Sequence, residues 1–456
     1  MFRTYANAFK IPELRKKLLF TALVLLLYRI GSTLPVPFTS AELMSQYMST
    51  GKAEGSLFSF FSFLSGNAFS QATLFALGVS PYITASIVVQ LLAVAFPKIA
   101  GVGDEGKKRM QTITRYITVG ISIVTAIGYY MILDQANALI SDADLATYHI
   151  PKFFCAVVIV ACFCAGSSLV MWLGEKINEH GIGNGISLIL FANIVSSVPS
   201  ALWELAAKIS PNVGNPLLTK PEHYFSWGGL IFTLCVIIGM SALIWLIIYV
   251  SDSERRIPVQ YAKKVVGRKM YGGQNTNLPI KLNMTGVMPI IFANAIVSIP
   301  STIAMFVNPV VGSGWYKFFN MFTINHWVYA VLSLLLIIGF AYFYSAISFN
   351  PVEVASNMQK NGGSIPGVRP GKPTADFISK VVKRITFIGA LYLAVVAVLP
   401  IVAQLIINIF DIAGKYSIQT FAFGGSSIII VVGVILETAR EIEAQMTMRH
   451  YKGFLD

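Results

Sequence analysis

The chain has 456 residues, 55% hydrophobic and 12% charged, with a mean hydropathy of +0.67 and a net charge of +13. Soluble domains carry about 25% charged residues, so this composition excludes an ordinary soluble enzyme or binding module and reads as an integral membrane protein. The basic excess does not indicate nucleic acid, because it falls in connections between apolar runs.

Runs of roughly 20 apolar residues cross a hydrocarbon core of about 30 Å. They predict ten spans, at about 18–37, 73–96, 112–133, 151–174, 184–205, 227–250, 284–308, 327–349, 382–408 and 423–440. The first, RKKLLFTALVLLLYRIGS, lacks a small-x-small cleavage site and reads as a span rather than a cleavable signal peptide. Between spans 1 and 2 lies GSLFSFFSFLSGNAFSQ, with serines at 56, 59, 62 and 65. On a helix these form a narrow polar stripe opposite Leu57, Phe60, Phe61 and Leu64. The segment is too short to span. It either lies on the outer membrane surface or folds back into a cavity.

Span 2 opens with GVSPYI (Gly78 to Ile83) and span 7 with GVMPII (Gly286 to Ile291). Span 5 opens with GNGISLIL and span 10 with GGSSIII. Both echoes are offset by five spans, an odd number, so the halves lie in opposite orientations across the membrane. That is the pattern of an inverted repeat, whose functional path lies between the halves. The expected fold is an all-α membrane protein, ten transmembrane helices in two inverted five-helix halves around a central pore. The halves are 1–205 and 227–456, joined by an external loop at 206–226.

With the N-terminus on the cytoplasmic side, that side holds about 27 of the 34 Lys and Arg residues, the positive-inside bias. This charge either only sets topology or also receives an acidic or anionic partner. The connection at about 251–283 alternates at Arg256-Ile257-Pro258-Val259-Gln260-Tyr261 and turns at Gly272-Gly273, which predicts a short hairpin. The connection at about 350–381 is dense in Gly and Pro from Gly362 to Pro373 and predicts a non-helical tip. Its GVRPGKPT fails as a phosphate loop, because Pro373 follows Lys372 where Ser or Thr is needed. The cysteines (155, 162, 164, 235) sit in apolar runs and the five histidines have no metal-ligand spacing. No cofactor is expected.

Apart from Arg29 and Glu437 near span ends, no ionisable side chain falls near the middle of a span. Ion-coupled transporters use such groups at the midplane, and ion channels use charged rings or carbonyl filters. Branched apolar residues stand at the interrupted helix starts instead. They either pack an ordinary core or converge on an apolar constriction, which blocks ions by dewetting and presents no fixed binding chemistry.

GVSPYITASIVVQLL, GIGNGISLILF, RRIPVQYAKK, NMTGVMPIIFA, SIPGVRPGKPT and FGGSSIIIVVGVILET, in this order, resemble the SecY/Sec61-alpha family of protein-conducting channels, over essentially the whole chain. The resemblance implies the pore-forming subunit of a preprotein translocase in the bacterial plasma membrane, with both termini cytoplasmic and no catalytic site. The family's pore ring falls on Val79, Ile83, Ile186, Leu190, Ile291 and Ile430. Its plug falls on about 57–71, with Leu57, Phe60, Phe61 and Leu64. The polar cluster of its lateral gate, between spans 2/3 and 7/8, falls on Thr84 and Asn294. Its motor- and ribosome-binding positions fall on Arg255, Arg256 and Arg369. The implied partners are the small membrane subunits SecE and SecG, the motor ATPase SecA, a ribosome with its nascent chain, signal peptides of unfolded preproteins, and lipid. The alternative is a secondary transporter, also built from inverted repeats.

Overall fold

The computed structural model describes residues 8–49, 62, 65–96, 103–139, 151–209, 227–261, 264–266, 269–271, 275–307, 313–322, 326–409 and 424–452. Leu57, Phe60, Phe61 and Leu64 therefore lie outside the described residues.

The helices of the first half are α1 (Pro12–Gly31), α2 (Ala41–Ser49), α3 (Ser80–Ala95), α4 (Gly103–Gln135), α5 (Lys152–His180) and α6 (Gly185–Ile209). The second half begins with α7 (Trp227–Ser251). Strands β1 (Glu254–Tyr261), β2 (Lys264–Val266), β3 (Lys269–Tyr271) and β4 (Asn275–Lys281) follow. Then come α8 (Met288–Val297), α9 (Ile299–Val307), α10 (Gly314–Asn320), α11 (Trp327–Ser348), α12 (Pro351–Lys360), β5 (Gly363–Ser364), α13 (Lys372–Ile409) and α14 (Gly424–Lys452). Among the described residues, five helices are long and apolar enough to cross a membrane: α4, α5, α7, α11 and α13 carry them. Shorter apolar helices, α3, α6 and the α8–α9 pair, and the apolar parts of α1 and α14 fall on the remaining expected spans.

Three boundaries differ from expectation, each for a local reason. α1 starts at Pro12 rather than near 18, because proline suits the first helical turn and the Arg15-Lys16-Lys17 run continues the helix beyond its apolar part. Span 2 is helical only from Ser80, since residues 65–79 form turns with left-handed backbone at Gly66, Asn67, Ala72 and Gly78. Span 7 is broken between α8 and α9, where Pro300 brings no N–H to continue α8.

Side chains of α7 such as Ile231, Ile238 and Trp245 are more than half exposed, as suits a face turned to lipid. Lipid tails are as apolar as leucine, so helix association rests on close packing rather than on burial from water. Glycine supplies it. A Cβ on Gly166 of α5 would stand 2.0 Å from the Leu74 carbonyl oxygen, and one on Gly433 of α14 would stand 2.3 Å from Val287 Cγ1.

The largest core cluster joins both halves, through α1, α3, α5, α6, α7, α8, α11, α13 and α14. A second belongs to the first half and packs Met44, Phe69, Tyr129, Leu133 and Phe163 together. A third lies between a sheet and the first turns of α13.

That sheet has the order β4–β1–β5. β1 and β4 pair antiparallel from Glu254↔Lys281 to Gln260↔Asn275, with β2 and β3 forming a separate ribbon in the same connection. Gln260 and Tyr261 then pair with Ser364 and Gly363, so the connections at 251–283 and 350–381 form one platform. Ile257, Val259 and Ile280 pack under it against Met358, Ile365, Ile378, Val382 and Ile385.

Candidate functional site

The two echoed motifs fold alike. Gly78 and Gly286 take φ +54° and +61°, a left-handed turn open to glycine at little cost. Val79 and Val287 follow as N-caps at φ/ψ −90°/−9° and −92°/−8°. Pro81 and Pro289 occupy the first helical turn, where a missing N–H breaks no intrahelical bond. Ile83 and Ile291 are accordingly the fourth residues of α3 and α8.

Both isoleucines reach a small central cavity. It is lined by Ser80, Ile83, Leu190, Ile291, Asn294, Ala295 and Ile430. Leu190 comes from the second turn of α6 and Ile430 from the second turn of α14. Four helices, two from each half, thus aim their N-terminal turns at one point. Among the described residues, no titratable side chain lines this cavity. Its polar groups are a hydroxyl and an amide, so it has no fixed charge to hold an ion and no ligand set for a metal.

Four of the six expected ring residues therefore meet in one wall. Val79 and Ile186 belong to the same buried cluster but are not among the lining residues. Val79 is the N-cap of α3, and Ile186, in the first turn of α6, packs on α5, where a Cβ on Gly174 would stand 2.6 Å from its Cδ1.

The halves meet along a seam at which α3 touches α8 and α4 touches α9. Asn294 lies at the cavity, whereas the Thr84 hydroxyl donates to Ser80 O of its own helix at 3.1 Å. The polar bond that crosses the seam is elsewhere. The Tyr344 hydroxyl of α11 donates to Gln90 Oε1 of α3, and Gln90 Nε2 donates to Ser86 Oγ at 3.0 Å. Tyr344 also stacks on Phe292 of α8, with ring centroids 5.0 Å apart. The sequence signal for Gln90 was its polarity within GVSPYITASIVVQLL; nothing there named its partner 254 positions away.

Of the short helix expected at 57–71, the described residues 65–71 form turns rather than helix. Ser62 is helical, but Asn67 N donates to Ser62 O at 2.8 Å across Gly66 at φ +64°. A six-to-one bond over a left-handed residue is the pattern found where helices end.

Arg255, Arg256 and Arg369 are exposed on the platform, the first two on β1 and the third in the turn before α13. Arg256 Nε donates to Glu254 Oε1 at 2.7 Å. Beneath them Arg440 of α14 donates to Ser251 O at 3.0 Å and Asp252 Oδ1 at 2.9 Å, fastening the platform's root to the helix that carries Ile430. Partial burial, then the neighbouring Arg440 charge, push the Lys281 ammonium below its usual pKa.

A family model named SecY matches residues 73–439. The chain belongs to the SecY family. It is 40% identical over 460 residues to the protein translocase subunit SecY of Streptomyces coelicolor and 39% identical over 468 residues to that of Mycobacterium tuberculosis, with 100% of each chain covered. The fold is similar to a solved structure described as a protein conducting channel, with a TM-score of 0.63 at 17% identity, covering 95% of this chain and 92% of that one. It is also similar to Sec61 in a canine ribosome-channel complex from the endoplasmic reticulum, with a TM-score of 0.61 at 16% identity over the same shares. The chain is a multi-pass membrane protein with the role of a pore-forming translocation channel, and its fold is that of ten transmembrane helices in two halves.

Proposed function

We propose that the apolar cavity is the constriction of a passive channel, closed here, that conducts unfolded secretory polypeptides and releases signal and transmembrane helices sideways through the seam. The observation that carries this reading is the wall of Ile83, Leu190, Ile291 and Ile430, contributed by both halves and free of charge. A hydrated ion entering such a wall sheds water without gaining ligands, at a cost of several kcal/mol. Branched side chains give no directional bond, so the wall seals around cargo of many shapes. Val79 and Ile186 support it from behind. The residues of 57–64 close the outer side.

A signal helix leaves between α3 and α8 when its apolar surface gains more by entering lipid than the seam loses by parting. The Gln90–Tyr344 bond contributes roughly 0.6–2 kcal/mol to that closure, the range of hydrogen bonds in membranes. Thr84 and Asn294 present further polar groups once α3 and α8 separate. The platform is cytoplasmic, as are both termini, and the membrane is the bacterial plasma membrane. Arg255, Arg256 and Arg369 suit phosphate or carboxylate, through arginine's fixed fork of donors. That fits ribosomal RNA or the motor SecA as partners, with SecE and SecG beside the spans. The chain itself performs no catalysis; partners supply the energy. A small-solute transporter fits less well, since among the described residues nothing ionisable lines the cavity.

The test is single-channel conductance in planar bilayers. Ile83→Ala, Leu190→Ala and Ile291→Ala together widen and wet the wall, so the resting protein should leak ions without cargo. A triple variant as tight as the parent, with folding confirmed, would remove the constriction from this site.

A further inference from the structure

The short helix between α9 and α11 lines neither the cavity nor the platform. α10 (Gly314–Asn320) has seven residues and is about 10 Å long, too short to cross a membrane. The Ser313 hydroxyl caps it by accepting from Tyr316 N at 3.1 Å. The turn runs on to Phe322, whose N donates to Phe319 O at 3.1 Å. Trp315, Phe318, Phe319 and Phe322 therefore share one face, at offsets of three, four and seven, with Lys317 and Asn320 on the other. The rings form one cluster. Trp315 stacks on Phe319 with centroids 6.1 Å apart, and Phe318 meets Phe319 and Phe322 edge-on at 5.5 and 5.3 Å.

This cluster is only half covered by protein. Phe319 is 3% exposed, and α10 touches α9. Trp315, Phe318 and Met321 are 64%, 49% and 43% exposed. Large rings left in water forgo the gain of burial. The flanking helices indicate what covers them. Ile299, Ile303 and Val307 form an exposed stripe along α9, and Trp327, Val331 and Leu335 form one along α11, each in steps of four residues. Both helices belong to spans, so lipid covers these stripes. Chain order sets the level. α8 follows the platform strand β4, and α11 leads back to α12 and β5 of the platform. The end of α9, α10 and the start of α11 thus lie at the opposite membrane face. Trp327 is the first residue of α11, and tryptophan gathers where hydrocarbon gives way to headgroups. α10 joins the two lipid-facing stripes at that boundary.

We propose that α10 is an interfacial anchor. It lies in the headgroup layer of the membrane face opposite the platform, with Trp315, Phe318 and Met321 sunk among the upper acyl chains. Lys317, on the polar face, turns its ammonium to lipid phosphate while its stem lies along apolar surface. An aromatic face opposite a basic one is how helices lie in a membrane interface. The anchor sets the height of α9 and α11 in the bilayer, and so of the second half's side of the seam. It does not depend on what the cavity conducts.

The test uses the full chain in nanodiscs of phosphatidylethanolamine and phosphatidylglycerol. With Cys155, Cys162, Cys164 and Cys235 replaced by alanine, a nitroxide is attached at Phe318→Cys and, separately, at Asn320→Cys. Power saturation should give position 318 a ratio of oxygen to nickel-chelate accessibility several-fold above that at 320. Free access of the chelate to both positions would put α10 in water. Shielding of 318 from both reagents would mean that protein, a second copy or another chain, covers it. Either result overturns the anchor. A second measurement leaves the cysteines in place. The fluorescence lost in Trp315→Phe isolates Trp315 among the six tryptophans. That component should be quenched more by lipids brominated near the top of the acyl chain than by those brominated near its end, and hardly by aqueous iodide. Strong quenching by iodide would overturn the proposal without recourse to the labelled variants.

Discussion

The starts of α3 and α8 share their backbone torsions to within a few degrees, yet they are backed differently. Before α3, Phe69, Leu74 and Phe75 are bonded or stacked to α4, α5 and α1. Before α8, a Cβ on Gly286 would meet nothing within 4 Å, and the chain arrives from the platform through Leu282, whose N donates to Ser253 O at 2.9 Å. α3 then continues for 16 residues, whereas α8 stops after 10 and restarts as α9. A repeated motif specifies how a helix begins. Whether that helix is fixed or free to move depends on its neighbours. The start of α3 is backed by three helices of its own half, whereas the approach to α8 is tied to the platform and, through the Leu282 carbonyl, to Gly389 of α13.

The largest effect should come from the packing on each side. At Gly166 an added methyl meets a backbone carbonyl, which cannot rotate away, so Gly166→Ala should cost about 3 kcal/mol and sharply lower the midpoint of thermal unfolding in detergent. At Gly433 the obstacle is a methyl of Val287. Gly433→Ala should cost only about 1 kcal/mol, and Val287→Ala should recover most of it. Equal losses at the two glycines, or no recovery in the pair, would erase the contrast between a backbone obstacle and a side-chain one.

A smaller effect is expected at the seam. Tyr344→Phe removes the hydroxyl bonded to Gln90 and should favour parting by roughly 0.6–2 kcal/mol. Export of proteins with weakly apolar signals should rise, and Gln90→Leu added to Tyr344→Phe should give little more. Independent, additive effects would mean that the two residues do not act as a pair. Smallest for stability is Arg255→Glu, Arg256→Glu and Arg369→Glu together. These side chains are exposed, so unfolding should shift by no more than about 0.5 kcal/mol. Cosedimentation with ribosomes, or binding of the motor ATPase at physiological salt, should nevertheless fall strongly. Unchanged binding would detach the platform from that role.

Much of this architecture was legible because the bilayer imposes it. Spans follow from apolar length, and the matched helix starts follow from glycine, valine and proline at fixed offsets. The break in span 7 was also written in the chain, at Pro300, but an apolar run hides it. Other features were not readable for physical reasons. β5 is two residues long and exists only because β1 lies beside it. Ile186 and Leu190 share one face of α6 a turn apart, so which of them lines the cavity depends on the helix's height against its neighbours, which the sequence does not give. The Gln90–Tyr344 bond depends on how two distant helices pack.

The pairing of β1 with β5 has a consequence for how the protein is made. Gln260 and Ser364 are 104 positions apart, with α8, α9, α10, α11 and α12 between them. At about 5–20 residues per second, synthesis takes roughly 5–20 s to supply the second partner after the first. During that interval the β1–β4 hairpin already exists, while Ile257 and Val259 still lack Ile365, Ile378 and Val382 to cover them. The first half has its own core and does not wait. The newborn chain therefore completes its platform, and then the wall of its cavity, only near the end of synthesis, with Ile430 arriving after the platform is paired.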